Sequence, residues 1–312
     1  MNKLPDISFV CPTYNHEKYV GFFIESILNQ SISNWELIII DDRSIDNTVL
    51  EINKYKKDER IVFIQNAYNK GCPYGVTLGV SKARGNIISL VASDDIVMPD
   101  YAEKILNRFS NSSVDVLYVS LQYIDEYNEV LPGSVILEKQ FSQTEIIRRM
   151  FLFQNELPSP GIAVKKHVFK NILPLDMGLA QTSDYQYNIF FLFHYSVGMV
   201  QKPLIQYRRL NSSQSSPNKV VNFRYELEIT KLMNTFVRLI GGNVNTFLAC
   251  FGSESIIQNK KIHEKTISFW LGMLATQSPH KEKRRWGLQT IMNFISSEEN
   301  LNLVYDLYEF SY

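Results

Sequence analysis

Apolar residues in the first third of the chain come in short runs, and each run gives way to a helical spacing before the next begins. Ile7–Cys11, Glu36–Ile40, Ile61–Gln65 and Ile87–Val91 read as four strands. Near-continuous Ile/Val/Leu runs mark strands buried on both faces of a parallel sheet. Between them the apolar period changes to 3.6, with Val20, Phe23, Ile24, Ile27 and Leu28 on one stripe and Ala102, Ile105, Leu106 and Phe109 on another. A looser helix over Cys72–Ala83 is weakened by Gly75 and Gly79, because glycine is a poor helix former. Pro12 is expected to end the first ladder, Asp46-Asn47-Thr48 to cap a helix, and Pro99 to sit in the first turn of another. Strand and helix in alternation are the signature of βαβ units around a parallel sheet, an α/β fold.

From Val114 the pattern is mixed. Val116–Leu121, Ile162–Val164 and Leu204–Arg208 read as strands, Ser142–Phe153 as a helix, and Ser183–Phe193 as a very apolar helix. The polar stretch Asn211–Asn218 is a breaker cluster, which places a domain boundary there: an α/β domain over 1–216 and a helical extension over 217–312. Within the extension Leu232, Met233, Phe236, Val237 and Ile240 form one stripe, and Leu288, Ile291, Met292 and Ile295 another.

Composition narrows the setting. The 32 Lys and Arg cancel the 32 Asp and Glu, which argues against nucleic-acid binding, since that favours a basic excess. Cys11, Cys72 and Cys250 offer neither a disulfide framework nor a zinc spacing. No signal-type leader and no run of about 18 apolar residues is found, so a cytoplasmic protein is expected. The basic run Lys281, Lys283, Arg284 and Arg285 could hold it peripherally on an anionic leaflet, or meet the phosphates of a lipid-linked acceptor. The aromatic tail Tyr305, Tyr308, Phe310 and Tyr312 is expected to pack on its own helices or on a second subunit in a homodimer.

Two acidic pairs carry the candidate chemistry. Asp41-Asp42 and Asp94-Asp95 each follow an apolar strand, and ligands of open α/β sheets bind beyond the carboxyl ends of strands. Asp41-Asp42 also reads as a turn capping the next helix. Asp94-Asp95 is harder to read that way, because adjacent ionised carboxylates near a buried strand end repel unless a cation or donors compensate. Hard divalent cations bind through one or two carboxylates plus substrate phosphates.

The segments ISFVCPTYNHEKYV, LIIIDDRSIDNT, NKGCPYGVTLGVSKARGN, ISLVASDDIVMP and TSDYQYNIFF resemble, in order and spacing, the family 2 glycosyltransferases of the GT-A fold. The resemblance covers about residues 5 to 216. It implies a Rossmann-like fold for nucleotide-diphospho-sugar transferases with a mostly parallel central sheet, and inverting transfer of a sugar from a nucleotide-sugar donor. A UDP-sugar is the expected donor, Mn2+ or Mg2+ the expected metal, and a hydroxyl of a glycan or lipid-linked saccharide in surface polysaccharide synthesis the expected acceptor.

The resemblance also implies site roles. Pro12, Thr13, Tyr14, Asn15 and Glu17 would line the nucleotide pocket, with Tyr14 near the base and Asp42 on the base edge. Asp94 would approach the ribose and the metal, and Asp95 would bind the metal that bridges the diphosphate. Asp184 resembles the catalytic base, although an Asp near a helix start also serves as a dipole partner. Arg208 and Arg209 suit phosphate contact, within a stretch Tyr207–Ser215 that would close over the donor. The chain departs from the common family pattern at Ala92, Val76-Thr77, Ser183 and Leu210. A sugar-phosphate nucleotidyltransferase would need a glycine-rich loop after the first strand, and PTYNHEKY has none. The remaining alternative is a non-catalytic module that binds a nucleotide sugar or scaffolds a glycan-assembly complex.

Overall fold

The computed structural model describes residues 4–132, 141–210 and 219–309. Among these, strands β1 (Ile7–Thr13), β2 (Trp35–Asp41), β3 (Ile61–Gln65), β4 (Ile87–Leu90), β5 (Ile96–Val97), β6 (Val116–Ile124), β7 (Ile162–Lys165) and β8 (Val197–Arg208) form one sheet. Their order is β3-β2-β1-β4-β7-β6-β8-β5. β1 pairs in parallel with β2 and β4, β2 with β3, and β6 with β8. β7 runs antiparallel to β4 and β6, and β5 to β8. The sheet is thus mostly parallel, as the apolar runs indicated.

The helices are α1 (Val20–Leu28), α2 (Thr48–Asn53), α3 (Cys72–Lys82), α4 (Tyr101–Ser110), α5 (Gln143–Leu152), α6 (Lys166–Lys170) and α7 (Ser183–His194). Beyond them come α8 (Lys219–Ile240), α9 (Val244–Phe251), α10 (Ile267–Thr276), α11 (Lys281–Ile295) and α12 (Glu298–Tyr308). By contacts the chain forms two compact units, 1–140 with 157–216, and 141–156 with 217–312. Segment 141–156, which the sequence pattern assigned to the first domain, therefore belongs to the second unit; the boundary cluster Asn211–Asn218 lies outside the described residues.

In the first unit, α1 buries Val20, Phe23, Ile24 and Ile27 against Ile7, Phe9, Trp35, Leu37 and Ile39 of the sheet. Each such side chain contributes about 1.5–3 kcal/mol. The glycines that weaken α3 let it lie close on the sheet: a Cβ on Gly79 would stand 2.4 Å from the Val10 side chain and 2.7 Å from that of Ile40. Contrary to expectation, β1 runs through Pro12 to Thr13. Thr13 O accepts from Asp42 N on the β2 side and Val10 O from Val91 N on the β4 side. Pro12 is in phase with Val10, so its missing N–H faces β4, whose pairing has already ended at Leu90.

At the amino edge of the sheet, Glu36 is 1% exposed. It accepts from Ser8 Oγ (2.6 Å), Arg84 N (2.6 Å) and Arg84 Nε (2.7 Å). Burial alone would raise its pKa; the Ser8 and Arg84 bonds override that and hold it below the ordinary 4.5. A depressed native value means the contribution is present above the unfolded value and lost as pH falls through the native one. Glu36→Gln is expected to lower stability by about 2 kcal/mol and to flatten the acid limb of the stability profile, measured by urea unfolding across pH 3 to 6. An unchanged acid limb would refute the assignment.

The second unit is built around Phe151 of α5, whose ring meets Phe236 (5.3 Å), Phe251 (5.1 Å) and Trp286 (6.2 Å). The α8 stripe is buried at Leu232, Met233, Phe236 and Ile240. On α11 the expected stripe is not the buried one: Leu288 and Met292 are exposed, while Lys283, Trp286 and Gly287 are buried. Glycine contact chose the face, since a Cβ on Gly287 would stand 2.6 Å from Gly272 O of α10. Tyr308 packs on its own unit, with its ring 4.9 Å from Trp270 and its hydroxyl on Thr266; Phe310 and Tyr312 lie outside the described residues.

The basic run of α11 also differs from expectation. Lys283 is 1% exposed and donates to Met150 O (2.6 Å) and Phe151 O (2.9 Å) at the end of α5, so it cannot face a membrane. Lys281 and Arg285 both pair with Glu226, and Arg284 donates to Ser278 O and Pro279 O. Burial lowers the Lys283 pKa to about 7. Between that value and the usual 10.5 the unfolded chain holds the proton and the native one does not, so stability rises with pH across that window. Lys283→Met should remove that slope, read as Tm against pH from 7 to 10; a slope that persists would assign it elsewhere.

Candidate active site

In the strand order, the chain passes from β1 to β2 on one side while β4 lies on the other. Such a switch point leaves a crevice beyond the carboxyl ends of β1 and β4. The loop after β1 carries Tyr14 to Glu17, and the turn after β4 carries Ser93 to Asp95.

The loops after β1 and β2 are tied together. Asn15, in the left-handed region (φ 56°), accepts from Ile45 N through Oδ1 and donates its own N–H to Ser44 Oγ. His16 N donates to Thr48 Oγ1, Glu17 N to Asp46, and Asn47 N to the Glu17 carboxylate. The side chains of Asn15 and Glu17, expected to face a nucleotide, thus act first in joining two loops. Asp42 has a similar role. It accepts from Asn66 Nδ2 (2.9 Å), Lys70 N (2.8 Å) and Gly71 N (2.7 Å), fixing the loop before α3. Asp41 is buried and accepts from Ser44 and Gln65, an anchor for the turn. Tyr14 is half-buried, Pro12 likewise, and Thr13 is buried.

The second acidic pair is placed differently. Asp95 is 1% exposed. Its Oδ1 accepts from Arg208 N at 2.9 Å, and its Oδ2 is buried with no hydrogen-bond partner. Burial first, and the charge of Asp94 second, push its pKa well above the usual carboxylate range. Asp94 is half-buried beside it. A buried, unpartnered carboxylate oxygen next to a second carboxylate suits a hard divalent cation. Among the described residues no three His, Cys, Asp or Glu side chains cluster as a metal site, so a metal held here would need further ligands, as donor phosphates supply.

Arg208 does not present a phosphate ligand. It is 2% exposed, and its guanidinium donates to Asp94 O (2.7 Å), Asp125 O (2.6 Å) and Asn128 Oδ1 (2.5 Å) while lying 4.6 Å from the Tyr19 ring centre. It braces the acidic turn from beneath. Arg209 is exposed, 5.0 Å from the Tyr123 ring centre, and is the arginine open to a ligand. The stretch 211–215, expected to close over phosphates, lies outside the described residues.

Asp184 sits in the first turn of α7, half-buried, and accepts from Tyr185 N. The helix start is held from below: Tyr118 donates to Asn188 Oδ1 (2.6 Å), Asn188 to Leu157 O, and Tyr187 meets Ser159. The Cys72 thiol is solvent-accessible at the start of α3. Thr77, one of the departures from the family pattern, accepts from Leu175 N and donates to Pro73 O, a packing role.

Sequence reasoning did not single out Ser93. It is fully buried, donates to Thr13 Oγ1 at 2.7 Å and lies 2.7 Å from His16 Nδ1. Ser93 thereby ties the His16 ring to the end of β1. No sequence signal links residues so far apart in the chain.

The comparisons bear on what this crevice does. The model of the family described as glycosyl transferase family 2 matches residues 8–172. The chain belongs to that family. It is a glycosyltransferase, similar to an uncharacterized glycosyltransferase of Methanocaldococcus jannaschii, 31% identical over 209 residues that cover 65% of this chain and 71% of that protein. It is also similar to an Escherichia coli protein, UDP-Glc:alpha-D-GlcNAc-diphosphoundecaprenol beta-1,3-glucosyltransferase WfgD, at 27% identity over 46% of this chain and 55% of that one. Among solved structures, S. aureus TarS 1-349 in complex with UDP superposes with a TM-score of 0.63 at 14% identity, covering 97% of this chain and 91% of that one. That likeness shows the GT-A fold. Among the described residues, no helix of this family member is long and apolar enough to cross a membrane.

Proposed function

We propose that this glycosyltransferase moves one sugar, with inversion, from a nucleoside diphosphate donor to a hydroxyl of a glycan or lipid-linked saccharide, with Asp184 as general base. The observation that carries the reading is the unpartnered buried oxygen of Asp95 at the switch point. Asp95 and Asp94 would hold Mn2+ or Mg2+ together with the donor phosphates. A divalent cation held there would neutralise charge growing on the leaving diphosphate. Asp184 takes the acceptor hydroxyl's proton as that oxygen forms its bond to the anomeric carbon, and the nucleoside diphosphate departs from the opposite face. Tyr14 and Asp42 would meet the base, and Arg209 the phosphates.

UDP is the preferred nucleotide. The relative WfgD is named for a UDP-glucose donor and a diphosphoundecaprenol-linked acceptor, and TarS is solved with UDP. Both support a UDP-sugar donor, and the lipid-linked acceptor in the name of WfgD supports a role in surface polysaccharide synthesis. The test is calorimetric binding of UDP, GDP and TDP, each with and without Mn2+. UDP is expected to bind only with metal. Equal affinity with and without Mn2+ would remove Asp95 and Asp94 as a metal site, and tighter GDP or TDP binding would change the donor class.

A further inference from the structure

We propose that the first unit carries a second, non-catalytic site, a hollow between the amino end of β4 and α6 that binds a phosphate-bearing anion. This goes beyond the donor reading and does not depend on it. The hollow, open to solvent and about 460 Å³ in volume, is lined by Asn86, Ile87, Lys165, Lys166, His167 and Lys170. No carboxylate lines it. Asp115 pairs with Lys165 at 3.0 Å, so three lysines less one acid leave two positive charges in one recess, on a chain whose formal net charge is zero.

The walls are fixed by the fold. Lys166 N donates to Asn86 O at 2.8 Å, joining the start of α6 to the start of β4. Lys166 Nζ reaches Ala83 O at 2.5 Å. Val168 and Phe169, fully buried, anchor α6 and leave His167 and Lys170 exposed around the opening. A run of lysines on a short helix is ordinarily a solvated face. Here Lys166 and Lys170, four apart on α6, line one concavity with Lys165, His167 and Asn86, and the one acid nearby, Asp115, is paired with Lys165.

That chemistry selects an oxyanion. Ammonium groups on flexible stems bind phosphate as point charges. A neutral saccharide would want an aromatic platform, and none lines the hollow. The site is also separate from the candidate active site. Asn86 and Ile87 stand at the amino end of β4 and Asp94-Asp95 beyond its carboxyl end, so the strand alone sets them at least about 13 Å apart. A donor seated in the crevice and an anion in this hollow can be bound together. The anion could be a soluble phosphorylated saccharide or the head group of an anionic lipid; both present the same phosphate chemistry.

The test uses the full chain without divalent metal, so that the Asp94-Asp95 site is silent. Inorganic pyrophosphate is titrated while the imidazole signals of the histidines are followed by NMR, with His167 assigned by its loss in His167→Gln. A saturable shift of the His167 signal with Kd on the order of 1 mM or tighter is expected, with His16 unmoved. Lys170→Gln, an exposed change that leaves the fold intact, should weaken binding by about fivefold. No shift, an unsaturable shift, or a shift unaltered in Lys170→Gln would overturn the proposal. Co-sedimentation with phosphatidylglycerol vesicles then identifies the source: binding that falls in Lys170→Gln points to lipid, and pyrophosphate binding without vesicle binding points to a soluble ligand.

Discussion

Asp184→Asn is expected to lower sugar transfer by a factor of about 10² to 10⁴, the range typical of general-base removal, while leaving UDP affinity with Mn2+ nearly unchanged. The substitution separates two roles. Asp184 lies in the first turn of α7 and accepts from Tyr185 N, and an Asn side chain keeps that acceptor. A carboxylate there also interacts with the helix dipole, an effect of about 0.3–1 kcal/mol. A merely structural role therefore predicts a small drop in Tm and little change in turnover. The base role predicts the reverse. Turnover with crude acceptor, calorimetric Kd and Tm should be measured on the same preparation. Substantial activity in Asp184→Asn would remove it as the base.

Asp95→Asn should show opposite signs in its two readouts. Two adjacent carboxylates, one of them 1% exposed, repel each other in a medium of low polarity, and the cost is relieved when a proton or a cation is bound. The substitution keeps the acceptor that Arg208 N uses and removes the buried charge. The metal-free protein is expected to unfold a few degrees higher than the parent, by the usual relation between about 1 kcal/mol and Tm. Metal-dependent UDP binding should fall by at least about 10²-fold, the effect of losing one close charge–metal interaction worth about 3 kcal/mol. Differential scanning with and without Mn2+ and UDP reads both. A variant still stabilised by Mn2+ and UDP as the parent is would place the metal elsewhere; a variant less stable without metal would mean that Asp95 Oδ2 has a partner in solution.

The first half of the fold could be read because its signals are local. A strand buried on both faces must be apolar throughout, and a helix lying on a sheet must be apolar on one stripe, so Ile7–Cys11, Glu36–Ile40 and the α1 stripe stand out without any tertiary information. The site was legible to the same extent: an acidic pair directly after such a strand stands at the sheet's carboxyl edge whatever the rest of the chain does. Side-chain duty was not legible. Asp42, Asn15 and Glu17 bond loops remote in sequence, Arg208 braces Asp94 and Asp125 from beneath, and Ser93 joins His16 to Thr13; none of these contacts has a local signature.

The same limit accounts for the second unit. Stripe reasoning on α11 chose Leu288 and Met292, yet Lys283, Trp286 and Gly287 are the buried positions, because Gly272 and Gly287 allow two helices to approach and Lys283 meets the open carbonyls that end α5. The sequence by itself determined the α/β class, the strand and helix order of the first unit, and the acidic turns at its carboxyl edge. Only the tertiary structure decided which carboxylate oxygen stays unpartnered, which of Arg208 and Arg209 is exposed, where 141–156 belongs and that five basic or amide residues line one hollow at the far end of β4. The physical reason is range: periodicity reports which face a segment buries, whereas hydrogen-bond partners and charge neighbours are set by segments brought together on folding.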